Sequence, residues 1–158
     1  FNFFNSIKKI EDFFKINKTK NFDIFINALS VCKSKNFQNA KIRDINEMLK
    51  VNLYPGIFFT KIFGMNMNKK KWGRIIHLSS KKLSKNERDL NFSYLLAKHA
   101  LEFLPQSIKK WSKNNVLVNI VRIEDFEDNK DLAEFIYFLS SNDNSYITSQ
   151  VLNTSKGD

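Results

Sequence analysis

The stretch Gly73-Arg-Ile-Ile-His-Leu-Ser-Ser80 puts Ile75, Ile76 and Leu78 within eight residues, without the strict alternation of a half-exposed strand. A short apolar run of this kind suits a strand covered on both faces, as in a parallel sheet. Upstream, Phe22-Asp-Ile-Phe-Ile-Asn27 has the same character, and Val116-Leu-Val-Asn-Ile-Val121 repeats it downstream. Between these runs the periodicity changes. Ala40 to about Asn68 reads as a long helix broken or kinked near Pro55-Gly56, and Phe92 to about Trp111 reads as another. Ser6 to Ile16 carries apolar residues at 7, 10, 13 and 14 behind a Ser6 cap, and Asp131 to Ser140 is amphipathic behind Asn129 or Asp128. Tyr146 to Leu152 closes the pattern as a short strand. Strand and helix alternate at the spacing of right-handed crossovers, which predicts an α/β fold with a parallel sheet and flanking helices.

The 158 residues suffice for one domain with a real core, and 42% hydrophobic content fits a globular chain. No run approaches the ~18 apolar residues of a membrane span, and the opening residues do not read as a signal peptide. The expected location is therefore cytoplasmic, with no membrane partner. Cys32, as the single cysteine, excludes an internal disulfide and a cysteine-based metal cluster, and two distant histidines point to no metal. A net charge of +10 raises the question of nucleic acid, but the lysines are scattered and no aromatic residues alternate with them on a strand, so no nucleic-acid partner is expected. The four glycines, at 56, 64, 73 and 157, form no closely spaced set that would let backbone approach a pyrophosphate.

One pair has the spacing chemistry needs. Tyr94 and Lys98 are four apart in Tyr94-Leu-Leu-Ala-Lys98, so on a helix they stack on one face. An ammonium beside a phenol favours the phenolate and draws the group from ~10 toward the range where it exchanges a proton at neutral pH.

In this order the features resemble the short-chain dehydrogenase/reductase family over nearly the full length, in the manner of its 3-oxoacyl-carrier-protein reductases. Phe22 to Ala28 resembles the strand that ends in Asn-Asn-Ala-Gly, and Val51-Asn52-Leu53 the helix bearing the active-site Asn. Gly73 to Ser80 is similar to the strand ending at the active-site Ser, Tyr94 to Lys98 to the Tyr-x-x-x-Lys helix, and Tyr146 to Leu152 to a closing strand usually written with Thr-Gly-Gln. The resemblance implies a Rossmann-like domain over 1–158, truncated at its amino-terminal side. It implies an NAD- or NADP-dependent oxidoreductase that moves a hydride between a nicotinamide and a carbonyl or alcohol substrate. Tyr94 would donate the proton, Ser80 would polarise the substrate oxygen, Lys98 would assist Tyr94 and hold ribose, and Asn52 would bind a relay water. Asn27 and Ala28, with Tyr94 and Lys98, would contact the cofactor.

Three departures accompany the match. The phosphate-cradling turn and the residue that selects NAD or NADP are absent; Asn27-Ala28-Leu29-Ser30 is bulkier than the family's stretch; and Ile123-Glu124 replaces a Pro-Gly turn, with a shortened segment from Asp125 to Lys130. An alternative follows from them, a non-catalytic member serving as an oligomerisation or interaction module through the helices around Asn52 and Tyr94. Those helices would make the protein a homo-oligomer in either case.

Overall fold

A computed structural model describes residues 8, 9, 12, 21–33, 35–83, 91–123 and 129–154. It contains β1 (Ile24–Asn27), α1 (Ile42–Asn52), α2 (Tyr54–Lys70), β2 (Gly73–Ser80), α3 (Phe92–Glu102), α4 (Leu104–Ser107), β3 (Val116–Ile123), α5 (Asn129–Ser140) and β4 (Val151–Asn153). The strands form one sheet in the order β1-β2-β3-β4, and every pairing is parallel. This is the α/β arrangement with a parallel sheet expected from the alternation, and the Rossmann-like fold that the resemblance implies. The expected helix from Ser6 to Ile16 lies outside the described residues, apart from Lys8, Lys9 and Asp12, which are helical.

Successive strand side chains point to opposite faces, so β2 and β3 supply two cores. Ile75, Val116 and Val118 pack with Phe63 and Met67 of α2, and Ile120 packs with Ala97 and Leu101 of α3. Ile76 and Val121 face the other way, onto Leu139 of α5. Burial of side chains this size contributes about 1.5–3 kcal/mol each. Burial on both faces is why β2 and β3 lack alternation; β1, read from its sequence as covered in the same way, is the edge strand and leaves Ile24 and Ile26 exposed.

The breaks fall where local chemistry requires them. The long helix divides at Leu53 (φ −117°, ψ −58°), just before Pro55, whose ring cannot continue the hydrogen-bond ladder of α1. The helix expected to reach Trp111 stops at Glu102, and Pro105 lies in the first turn of the separate α4, followed by a 3-10 stretch over Lys109–Asn114. The closing strand starts later than expected. Ser149 has φ 60°, a left-handed conformation that interrupts the pleat, and it stands where the family usually has Gly. Residues before β4 are held by both backbone and side chain: the Ser149 N–H donates to the Val118 carbonyl (2.7 Å), while Asn119 donates to the Ile147 carbonyl (2.8 Å) and accepts from the Gln150 N–H (3.2 Å).

The amino-terminal end of the sheet is tied by Arg74, 1% exposed. Its guanidinium donates to the carbonyls of Gly73, Asn115, Asn144 and Ser141 at 2.9–3.2 Å and lies 4.6 Å from the Trp72 ring. The planar fork distributes its N–H groups among acceptors on several segments, which offsets the cost of burying it.

Candidate active site

The carboxyl ends of β2 and β3 and the segment after β1 meet α3 through Leu78, Arg122 and Leu29. Tyr94, Lys98 and Glu102 follow one another at i, i+4, i+8 along the face of α3 that meets the sheet, and all three are buried. The start of α3 is anchored from the β1 side: Lys35 forms a bridge with Asn91 and accepts from the Phe92 N–H at 3.0 Å, while the Cys32 thiol donates to Asn91 Oδ1 at 3.2 Å. Chain from the first crossover thus sets the angle at which Tyr94 enters the site.

Lys98 is 2% exposed. Its ammonium donates to the carbonyls of Leu78 (3.0 Å) and Leu29 (3.2 Å), joining β2 to the segment that follows β1, and sits 5.8 Å from the centre of the Tyr94 ring. Burial pushes its pKa down to about 8, and the nearby Glu102 carboxylate opposes that fall. The Tyr94 hydroxyl lies 3.4 Å from Ser30 Oγ. Ser80, two residues after the carbonyl that holds Lys98, is buried, and its Oγ accepts from the Lys82 N–H at 3.2 Å. Phenol and amine are therefore adjacent, and the hydroxyl terminates the strand that carries the amine's acceptor.

Asn52 stands one helix away. Its amide accepts from the Val31 N–H (3.0 Å) and donates to the carbonyls of Val31 (2.9 Å) and Met48 (3.1 Å). One side chain thereby satisfies both backbone groups of Val31 and anchors the segment whose Leu29 carbonyl receives Lys98. Asn27 ends β1 beside His77 in the parallel register. Asn27 Oδ1 accepts from the Leu29 N–H (3.3 Å), which orients its amide so that Nδ2 donates to His77 Nδ1 (3.1 Å). With that nitrogen accepting, His77 Nε2–H donates to Thr60 Oγ1 (3.0 Å), and the ring is neutral. Burial and the Lys98 charge push its pKa down to about 3. Ala28 and Leu29 remain exposed at the strand end.

Three contributors are not apparent in the motifs: Ser30, His77 and Glu102. Glu102 alone had a signal, since extending the Tyr94–Lys98 row by four residues reaches it. Ser79 donates to Glu102 Oε1 (2.8 Å), and Arg122, its register partner on β3, binds the same carboxylate through Nε (2.8 Å) and Nη2 (2.7 Å). Among the described residues no group of His, Cys, Asp and Glu could hold a metal.

The short chain dehydrogenase family profile matches residues 5–127. The chain is 30% identical to the 3-oxoacyl-[acyl-carrier-protein] reductase FabG of Buchnera aphidicola, over 97% of this chain and 72% of that protein. It is 27% identical to the FabG of Aquifex aeolicus, over 89% of this chain and 67% of the other. Among solved structures, a 4-hydroxyisoleucine dehydrogenase complexed with NADH superposes with a TM-score of 0.84 at 19% identity, covering 97% of this chain and 75% of that one. The acetoin dehydrogenase YohF of Salmonella typhimurium gives 0.78 at 22% identity, covering 90% and 66%. At such identities these structures speak for the fold alone. Sequence and fold agree in placing this chain in the short-chain dehydrogenase/reductase family of oxidoreductases.

Proposed function

We propose that the chain serves in nicotinamide-dependent interconversion of a carbonyl and an alcohol, with Tyr94 as the proton donor, as in the 3-oxoacyl-carrier-protein reductases it resembles. The observation that carries this reading is the Lys98 ammonium, buried between two carbonyls within 5.8 Å of the Tyr94 ring. An ammonium has three N–H bonds, and two are used, so one is left for a further acceptor at the exposed end of β1. That donor, with Ala28 and Asn27 beside it, fits the ribose hydroxyls of a nicotinamide nucleotide. When bound, such a nucleotide supplies or accepts the hydride.

The residues of the chain handle the proton. Reduction leaves negative charge on the former carbonyl oxygen; Tyr94 gives that oxygen a proton while Ser80 donates a hydrogen bond to it. The phenolate charge left on Tyr94 then faces the Lys98 ammonium in a site shielded from bulk water, where such attraction is strong. Asn52 supports this arrangement by holding Val31, and the role that the resemblance implies for it is to bind the water of a proton relay to Lys98. Both NAD and NADP are compatible with these residues, and the substrate is a small carbonyl or alcohol compound. Ile42 and Leu96, both exposed on α1 and α3, support pairing of like subunits through these helices.

The test is reduction of an acetoacetyl thioester, followed by loss of NADH or NADPH absorbance. Tyr94→Phe should reduce turnover by at least ~100-fold, the scale of general acid catalysis, while cofactor-induced fluorescence change is retained. Turnover that survives Tyr94→Phe refutes the assignment. Because Lys98 loses its charge near pH 8, turnover should also fall as pH rises through that value.

A further inference from the structure

The carboxylate of Glu102 has a use that the Tyr94–Lys98 pair does not explain. Lys98 and Glu102 are one helical turn apart on α3, and they grip successive residues of β2: Lys98 the carbonyl of Leu78, Glu102 the hydroxyl of Ser79. The next residue is Ser80. A sliding of α3 by even a fraction of a turn would break both contacts, so the two together fix the height of Tyr94 relative to Ser80. Glu102 is itself locked in place, because Arg122 on β3 approaches in the two-toothed geometry that matches guanidinium to carboxylate. Three elements, β2, β3 and α3, are thereby joined by one buried anion.

Resting on the proposed function above, we propose that Glu102, clasped by Ser79 and Arg122, is a positioning residue for Lys98: it sets the register of α3 on β2 and supplies the negative charge that balances the buried ammonium. Arg122 tempers that charge. The other titratable groups bearing on this spot are Tyr94 on α3, His77 on β2, which is neutral, and His99, whose Nδ1 lies 3.9 Å from Glu102 Oε2. Met48 and Leu49, the residues of α1 that pack with Tyr94, Leu95, Ala97 and Leu101 of α3, carry no charge.

The roles of anion and cation make opposite predictions. Glu102→Gln keeps the shape and an acceptor for Ser79 but removes the charge, so Lys98 should lose its proton at a pH lower by roughly one unit. Arg122→Gln removes the competing cation, so Lys98 should lose its proton at a higher pH than in the parent protein. Lys98 can be followed by NMR titration of isotope-labelled lysine side chains, with the signal assigned by its absence in Lys98→Met. Thermal unfolding of each variant establishes that it is folded, and either variant alone suffices if the other is not. A role confined to packing would lower thermal stability in both variants and leave the Lys98 midpoint in place. Midpoints that coincide in all three proteins, or that move in the same direction, overturn the proposal. Turnover of Tyr94→Phe separates this from the proposed function: activity surviving that change refutes the catalytic reading, whereas opposite movements of the Lys98 midpoint would still establish the Glu102–Arg122 balance.

Discussion

Acidification between neutrality and about pH 5 should destabilise the fold through His77. The ring is 0% exposed, and both nitrogens are committed, Nδ1 accepting from Asn27 and Nε2–H donating to Thr60. A proton on Nδ1 would turn an acceptor into a donor facing the Asn27 amide, and Asn27 cannot rotate without abandoning the Leu29 N–H. Burial is the larger cause of the depressed pKa and the Lys98 charge the smaller. The unfolded imidazole takes its proton near 6.5, the folded one only near 3, so between these values the unfolded state holds more protons. Stability is thus complete above about 6.5 and is lost as pH falls toward 3. Each unit in this window is worth about 1.4 kcal/mol, which gives a loss of about 2 kcal/mol between pH 7 and pH 5. Lys98 adds nothing there, because it is protonated in both states below about 8. Urea unfolding at the two pH values, compared with His77→Gln, isolates the contribution of this one ring. The parent should lose about 2 kcal/mol more than the variant. Equal losses would show that the folded imidazole accepts a proton as readily as the unfolded one, and the account of the Asn27–His77–Thr60 network would be wrong.

Two further substitutions probe packing. At Gly64 an added Cβ would collide with the Trp111 ring at Cζ3, so Gly64→Ala should cost about 1–3 kcal/mol of overpacking despite the helix propensity of Ala. In a Trp111→Leu background the same change should instead stabilise by up to ~1 kcal/mol, a reversal of sign measurable by denaturant midpoint. Asn52→Ala removes the partners of both Val31 backbone groups and should cost about 1–3 kcal/mol in the same assay, with faster amide exchange at Val31.

Much of the architecture is legible along the chain because its causes are local. The unalternating apolar residues of Gly73–Ser80 announce a strand covered on both faces, and that strand is found with those bounds. Pro55 announces a break; the break at Pro105 goes unread along the chain, and the helix is carried to Trp111, because the apolar run continues through Leu104 while the ladder cannot. The late start of β4 was hidden, since the left-handed turn at Ser149 is made by a residue with no intrinsic preference for it.

For the site, residue order and helical spacing by themselves determine that Tyr94 and Lys98 share a face and that Glu102 continues the row, because 3.6 residues per turn is a property of the backbone alone. Nothing local says what that face meets. Only the tertiary structure brings the Leu29 and Leu78 carbonyls to Lys98, Ser30 to Tyr94, and Ser79 with Arg122 to Glu102, residues separated from their partners by 20 to 69 positions. The same is true of protonation: a histidine in a strand is unremarkable until the packing of Asn27 and Thr60 around it removes the water its charged form would need.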